Sequence, residues 1–397
     1  MKKSFLFLIL ISFASLSLIA QLPKCLQEPI LSLDKKDIIG AKRFIDECFK
    51  NNESNAETWL VRANVYLYYY DYEINRLKKD PNYKLREPDA IIIANESFYK
   101  AIELKPDVKV DRMMDPKEGQ LVTADIIRIL AADAMDNKDY KKAIKLLNLV
   151  IRSYRVDPRG NAIFLAYAFL DMSSCYKILE DHVNYKKNLM DAAKLNMPVP
   201  DIYLGLYDIY KEEQDTVKCG EILTQARKAV PDSLSIDIKG YELDYFAMVG
   251  DTAKLKAAAL KMYEQYKDNI EVIKIVAMYL LNNKEYLLAE DIINIGLGMA
   301  PEDFDLLQQM TYRYFYEAVD YDIICEAKKK DKKWLEAQTY LKKANEILET
   351  AVTWAEKAYK LNQDDRKHNI MYLQILVRLD MTIPEGLKEK VDSYRKQ

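Results

Sequence analysis

One phrase recurs three times along the chain at identical spacing: Ala94-x3-Phe98-x2-Ala101-x4-Pro106, Cys219-x3-Leu223-x2-Ala226-x4-Pro231 and Ala289-x3-Ile293-x2-Gly296-x4-Pro301. Offsets of four and three residues return side chains to one face of an α-helix, and proline ends a helix because it lacks an N–H and clashes with the preceding turn. The phrase therefore predicts a helix with small residues at its crossing points and a bulky apolar residue between them. A unit that cannot bury its own apolar face must stack on copies of itself. The chain is accordingly expected to be a stack of helix pairs, an architecture that binds rather than catalyses.

Two units show the whole pattern over 34 residues. Pro200–Ser233 has Tyr203, Leu206, Tyr207 and Tyr210 on its first helix, then Cys219, Leu223, Ala226 and Pro231. Ile270–Asp303 has Ile273, Val276, Ala277 and Leu280, then Tyr286, Ala289, Ile293, Gly296 and Pro301. Both resemble the tetratricopeptide repeat, which has large, small and aromatic residues on helix A and Ala…Phe…Ala…Pro on helix B. The resemblance covers nearly all of the chain after its N-terminus and implies an all-α, right-handed superhelical solenoid of about eight or nine antiparallel pairs. Weaker units follow the same period: Trp59, Ala63 and Tyr66 with Ala94, Phe98 and Ala101; Ile127, Leu130, Ala131 and Ala134 with Tyr140, Ala143, Leu147 and Val150; and the segments 160–198 and 234–268. Ala41, Ile45 and Cys48 read as an opening half-pair. The region 304–363 is longer than one unit. An insertion is expected near 78–89, a linker near 326–334 at the run Lys328-Lys329-Lys330-Asp331-Lys332-Lys333, and a terminal cap over 364–397.

The N-terminus differs in kind. Lys2 and Lys3 precede an apolar run from Phe5 to Ile19 that closes on Ala20-Gln21, the pattern of a secretory signal over 1–20. The array would then occupy 21–397. Leu18 at the −3 position is larger than ideal, and the run is shorter than the ~20 apolar residues of a spanning helix. Lys24 before Cys25 breaks a lipidation motif. The signal resembles those of Bacteroidota, which implies a periplasmic or otherwise exported protein with no membrane span after cleavage. Five cysteines without a CxxC spacing form neither a zinc site nor a disulfide framework. Cys25 and Cys48 are the one pair placed to bridge.

Composition narrows the function. Only 10 glycines, 50% apolar residues and 30% charged residues suit a helical protein. With 59 basic against 62 acidic residues, nothing draws the chain to nucleic acid. His182 and His368 lie far apart and read as surface helix residues, and Gly296-x-Gly298 reads as close helix packing. No phosphate loop or nucleophile elbow is present, so no catalytic residue, metal or cofactor is expected. The resemblance implies instead a scaffold that binds a protein segment or partner subunit in envelope assembly, secretion or transport. Some members of the repeat family clamp C-terminal carboxylates with Lys and Asn on helix A. Asn64 matches the Asn position with Leu60 at the Lys position, whereas Lys274 matches the Lys position with Met278 at the Asn position. By register, Asn64, Tyr68, Arg128, Asp208 and Lys274 are expected to line the groove. The 29 tyrosines, clustered at Tyr66, Tyr68, Tyr69, Tyr70 and Tyr72 and at Tyr312, Tyr314, Tyr316 and Tyr321, leave open a glycan- or cell-wall-binding alternative. SusD-like glycan-binding proteins also carry such repeats, but this chain has only 3 tryptophans and no lipidation cysteine after its signal. The sequence sets no oligomeric state.

Overall fold

A computed structural model describes residues 22–157 and 160–394. The expected signal over 1–20 lies outside them. The described residues form eighteen α-helices and no strand. The chain divides into two units, Met1–Glu213 with Lys228–Val230, and Gln214–Arg227 with Pro231–Gln397. The division falls inside the best-formed repeat of the sequence, between its two helices.

In the first unit the hairpins are α1 (Lys24–Asp34) with α2 (Ile38–Phe49), α3 (Ala56–Lys79) with α4 (Ala90–Leu104), α5 (Pro116–Asp136) with α6 (Tyr140–Tyr154), and α7 (Ala162–Ile178) with α8 (His182–Ala193). Helix α9 (Pro200–Glu212) follows. The expected opening half-pair is a complete hairpin, because α1 precedes α2 and a disulfide joins Cys25 to Cys48. The 78–89 insertion is not a free loop. Buried Glu73 accepts hydrogen bonds from the Tyr83 hydroxyl and the Arg86 N–H, each at 2.8 Å, and so ties the insertion down on α3.

The second unit begins with α10 (Thr216–Ala229). Its hairpins are α11 (Ile236–Met248) with α12 (Thr252–Gln265), α13 (Ile270–Asn282) with α14 (Tyr286–Met299), α15 (Phe304–Lys330) with α16 (Trp334–Leu361), and α17 (Arg366–Arg378) with the short α18 (Leu387–Tyr394). The region 304–363 is thus one long hairpin. The linker expected near 326–334 is its tip: helix continues to Lys330 and resumes at Trp334. A lysine run reads as a linker, but lysine is also a good helix former, and the helices on both sides extend into it.

The recurring phrase marks the core. Ala94, Phe98, Ala101, Cys219, Ala226, Ala289 and Ile293 are wholly buried. A Cβ on Gly296 would stand 2.8 Å from Leu306 Cδ1 and 2.9 Å from Ile273 Cγ2, so that glycine permits close helix approach. Gly298 faces open space, so only the first of the two glycines is a packing residue. The sequence reading missed a second recurring device. The turns between hairpin helices hold a left-handed residue followed by an acid: Lys36-Asp37, Lys138-Asp139, Glu180-Asp181, Gln214-Asp215 and Gly250-Asp251. Each aspartate accepts a hydrogen bond from the N–H three residues on, at 2.9–3.1 Å, and so caps the second helix.

Two glycine substitutions test this register in opposite directions. Gly119→Ala drives a methyl group into the buried Phe98 ring and is expected to destabilise the chain by about 1–3 kcal/mol. Gly298→Ala meets nothing and is expected to stabilise it by about 0.5–1 kcal/mol. Urea denaturation of both variants reads the difference, and equal effects would mean the register is wrong.

Candidate functional site

Helices α11, α13 and α15 are the first helices of three successive hairpins, and a groove of about 640 Å³ opens along them. Its floor is apolar, with Ala247 from α11 and Ile275, Met278 and Tyr279 from α13. Its polar lining is Asp244, Glu271, Lys274 and Asp305, with the amides of Asn282, Gln308 and Gln309.

Lys274 is the only cation in that lining, and it is fully engaged. Its ammonium lies 2.8 Å from Asp303, 3.1 Å from Asp305 and 3.1 Å from Glu271. Burial alone would lower its pKa, but hydrogen bonds to Asp303, Asp305 and Glu271 outweigh burial and hold it above the ordinary lysine range. Asp303 serves two helices at once. One carboxylate oxygen caps α15 by accepting the Leu306 N–H, and the other takes the lysine. Carboxylates are favoured at this helix N-terminus by its partial positive charge. Three carboxylates share one ammonium, so the groove keeps a surplus of negative charge. Burial and then Asp244 push the Tyr279 phenol up to about 12. Gln309, 5% exposed, donates to the Lys274 carbonyl at 2.9 Å, and its own carbonyl oxygen has no partner. Gln308 donates to Asp365 at 3.1 Å, which joins the groove wall to the cap of α17.

Of the five residues expected in the groove, the structure puts only Lys274 there; Met278, at the neighbouring clamp position, joins it. Asn64 is a correction. It is 1% exposed, donates to the Leu60 carbonyl at 2.9 Å and accepts from the Met114 N–H at 2.8 Å. The segment after α4, through its own buried Val108 and Val110, covers the face that Asn64 presents by register. Tyr68 is exposed on α3. Arg128 is half-buried beside the Tyr154 phenol and the Asp171 carboxylate, so it serves the interior of the first unit. Asp208 is half-buried on α9, near Tyr185. The sequence missed Asp244, Ile275, Tyr279 and Gln309. The spacing Glu271, Lys274, Ile275, Met278 is an i, i+3, i+4, i+7 stripe on the face opposite the buried one, and it was the available signal.

The tyrosine clusters divide as 100° per residue requires. Tyr66 and Tyr69 are buried, and the Tyr66 hydroxyl donates to Asp46 at 2.8 Å. Tyr312 and Tyr316 stack at 5.5 Å, while Tyr314 donates to Glu290 at 2.8 Å. Among the described residues only Tyr68 and Tyr167 are strongly exposed tyrosines, and they lie on different hairpins. No group of three or more His, Cys, Asp or Glu among the described residues is arranged to hold a metal ion.

No protein-family model matches the chain, and no curated protein matches it. Solved structures similar to it are tetratricopeptide-repeat proteins. Yeast Tom70 is 12% identical over 93% of this chain and 86% of that one, with a TM-score of 0.40. The C-terminal part of a repeat-containing protein from Cytophaga hutchinsonii is 18% identical over 66% and 98%, with a TM-score of 0.39. YrrB, described as having an unusual peptide-binding site, is 13% identical over 54% and 97%, with a TM-score of 0.35.

His182 is exposed, as expected, but His368 is not. Its Nε2 lies 2.8 Å from the Ala355 carbonyl, its ring meets Phe304 edge-on, and its Nδ1 has no partner. Burial lowers its pKa. The folded state therefore resists protonation that the unfolded state accepts, and stability falls as pH drops below the ordinary histidine value of ~6.5. His368→Gln is expected to shrink the stability difference between pH 7.5 and pH 5, by at most ~1.4 kcal/mol per pH unit. An unchanged difference in urea midpoints would show that the histidine titrates normally.

Proposed function

We propose that this protein is a non-catalytic, exported scaffold that holds an extended segment of a partner protein in the groove of α11, α13 and α15. Its work would lie in envelope assembly, secretion or transport. The observation that carries the reading is the groove itself: an apolar floor, amide groups along it and more carboxylates than its one lysine neutralises. Such a lining suits a strand of mixed character, with apolar side chains on the floor and a lysine or arginine against the acids that share Lys274. It does not suit a C-terminal carboxylate, because Lys274 is already enclosed by acids and Met278 replaces the amide a clamp needs. Buried and exposed histidines that never meet, and carboxylates committed to caps and ion pairs, support a binding role over catalysis.

Export is supported by the Cys25–Cys48 bridge, since disulfides persist in oxidising compartments, and by the basic-then-apolar N-terminus. Among the described residues no helix is long and apolar enough to cross a membrane.

Selection from a random peptide library with the full chain tests the groove. Enriched peptides are expected to carry Lys or Arg beside apolar residues. The pair Asp244→Lys and Glu271→Lys is expected to weaken them by roughly tenfold or more, as charge reversal at a recognition contact does. Tyr68→Ala with Arg128→Ala is expected to leave them bound. Peptides that bind both double variants equally would remove the groove from the proposal. Export has its own measurement: chain recovered from cells and denatured without reductant should show three reactive thiols, those of Cys175, Cys219 and Cys325. Five would contradict it.

A further inference from the structure

The α15/α16 hairpin outruns both of its neighbours. At ~1.5 Å per residue its helices are about 40 Å long, twice the length of α13 or α17. Two contacts mark where the neighbours stop. The turn between α13 and α14 reaches Asp320, through Lys284 at 2.6 Å and the Tyr286 hydroxyl at 2.8 Å. On the other side Arg378, the last residue of α17, reaches Asp322 and Asn345. Beyond that level, among the described residues, α15 and α16 face each other across the buried Cys325 and Ala337.

This overhang is apolar where a free tip should be polar. Leu335 is 81% exposed, Trp334 62% and Ile323 61%, and Leu341 is exposed as well. Trp334 and Leu335 are adjacent at the start of α16, so they point ~100° apart and spread the apolar surface around the tip. Around them stand five lysines, Lys328, Lys329, Lys330, Lys332 and Lys333. Lys328 pairs with Glu336 at 2.6 Å and Lys329 with Glu326 at 2.7 Å, whereas the other three form no ion pair among the described residues. The tip is therefore cationic in a chain whose net charge is −3.

We propose that this tip docks on the surface of an anionic bilayer, independently of the groove. Trp334 and Leu335 enter the boundary between headgroups and acyl chains, and the unpaired lysines face lipid phosphates. Tryptophan favours that boundary, and lysine stems lie along apolar surface while their ammonium groups stay in the polar layer. Charge complementarity selects the lipid, because each lysine near an anionic surface adds about a fivefold preference.

The three tryptophans make a direct test possible. With Trp59→Phe and Trp354→Phe, emission reports Trp334 alone, whatever the N-terminal residues do. Vesicles of phosphatidylglycerol and phosphatidylcholine are expected to shift that emission to the blue, and brominated acyl chains to quench it. Vesicles of phosphatidylcholine alone should do so weakly. Lys330→Glu, Lys332→Glu and Lys333→Glu together, or Leu335→Glu alone, are expected to lower partitioning by roughly tenfold or more, with the helical circular dichroism unchanged. Emission unmoved by either vesicle overturns the proposal, even if the chain sediments with the lipid, since attachment would then lie elsewhere. An equal response to both vesicles overturns it too, because the lysines would then play no part.

Discussion

Two helices can lie as close as those of these hairpins only where neither presents a large side chain at the crossing. Ala94, Ala101, Ala289 and Gly296 meet that condition, and the larger Phe98 and Ile293 fill the wider space between them. Everything else follows from that contact. It leaves each hairpin with apolar surface it cannot cover, so hairpins stack. Stacking sets the first helices of consecutive hairpins side by side, and their uncovered faces make a groove. Proline after the second helix ends it on schedule and turns the chain toward the next hairpin.

The sequence made the hairpins legible because their core positions are small and apolar at fixed offsets, and few environments other than a crossing demand that. The groove was legible only in part. Lys274 follows its register into the groove lining, but Asn64 does not: a short loop covers its face, its amide nitrogen donates to the Leu60 carbonyl of its own helix, and only its oxygen accepts from the loop, at the Met114 N–H. A polar residue satisfied by backbone groups looks in sequence like one waiting for a ligand. His368 misleads in the same way, as a histidine sealed between Ala355 and Phe304. The lysine run at 328–333 looks like a linker in sequence because dense charge resembles irregular structure, although the flanking segments stay helical to within a few residues of the turn.

The two ends of the described chain are held by different means. The first hairpin has a disulfide, and the next is tied by Glu73 to its own insertion. The last hairpin has a short final helix, an exposed outer face and hydrogen bonds from Asn369 to the Gln363 carbonyl and the Tyr394 hydroxyl.

The turns between helices carry a different message. In seven of them the residue two positions before the second helix is left-handed, and of those seven only Gly250 is a glycine. Lysine, glutamate, glutamine and their like accept that backbone at a cost of about 1 kcal/mol each, which glycine would avoid. The aspartate cap beside most of them recovers part of it. The array therefore holds an unspent margin, spread one turn at a time along its length. Chains under selection only to remain folded keep such slack. Here it lies in separate turns, so single hairpins can be stiffened or loosened without redrawing those beside them.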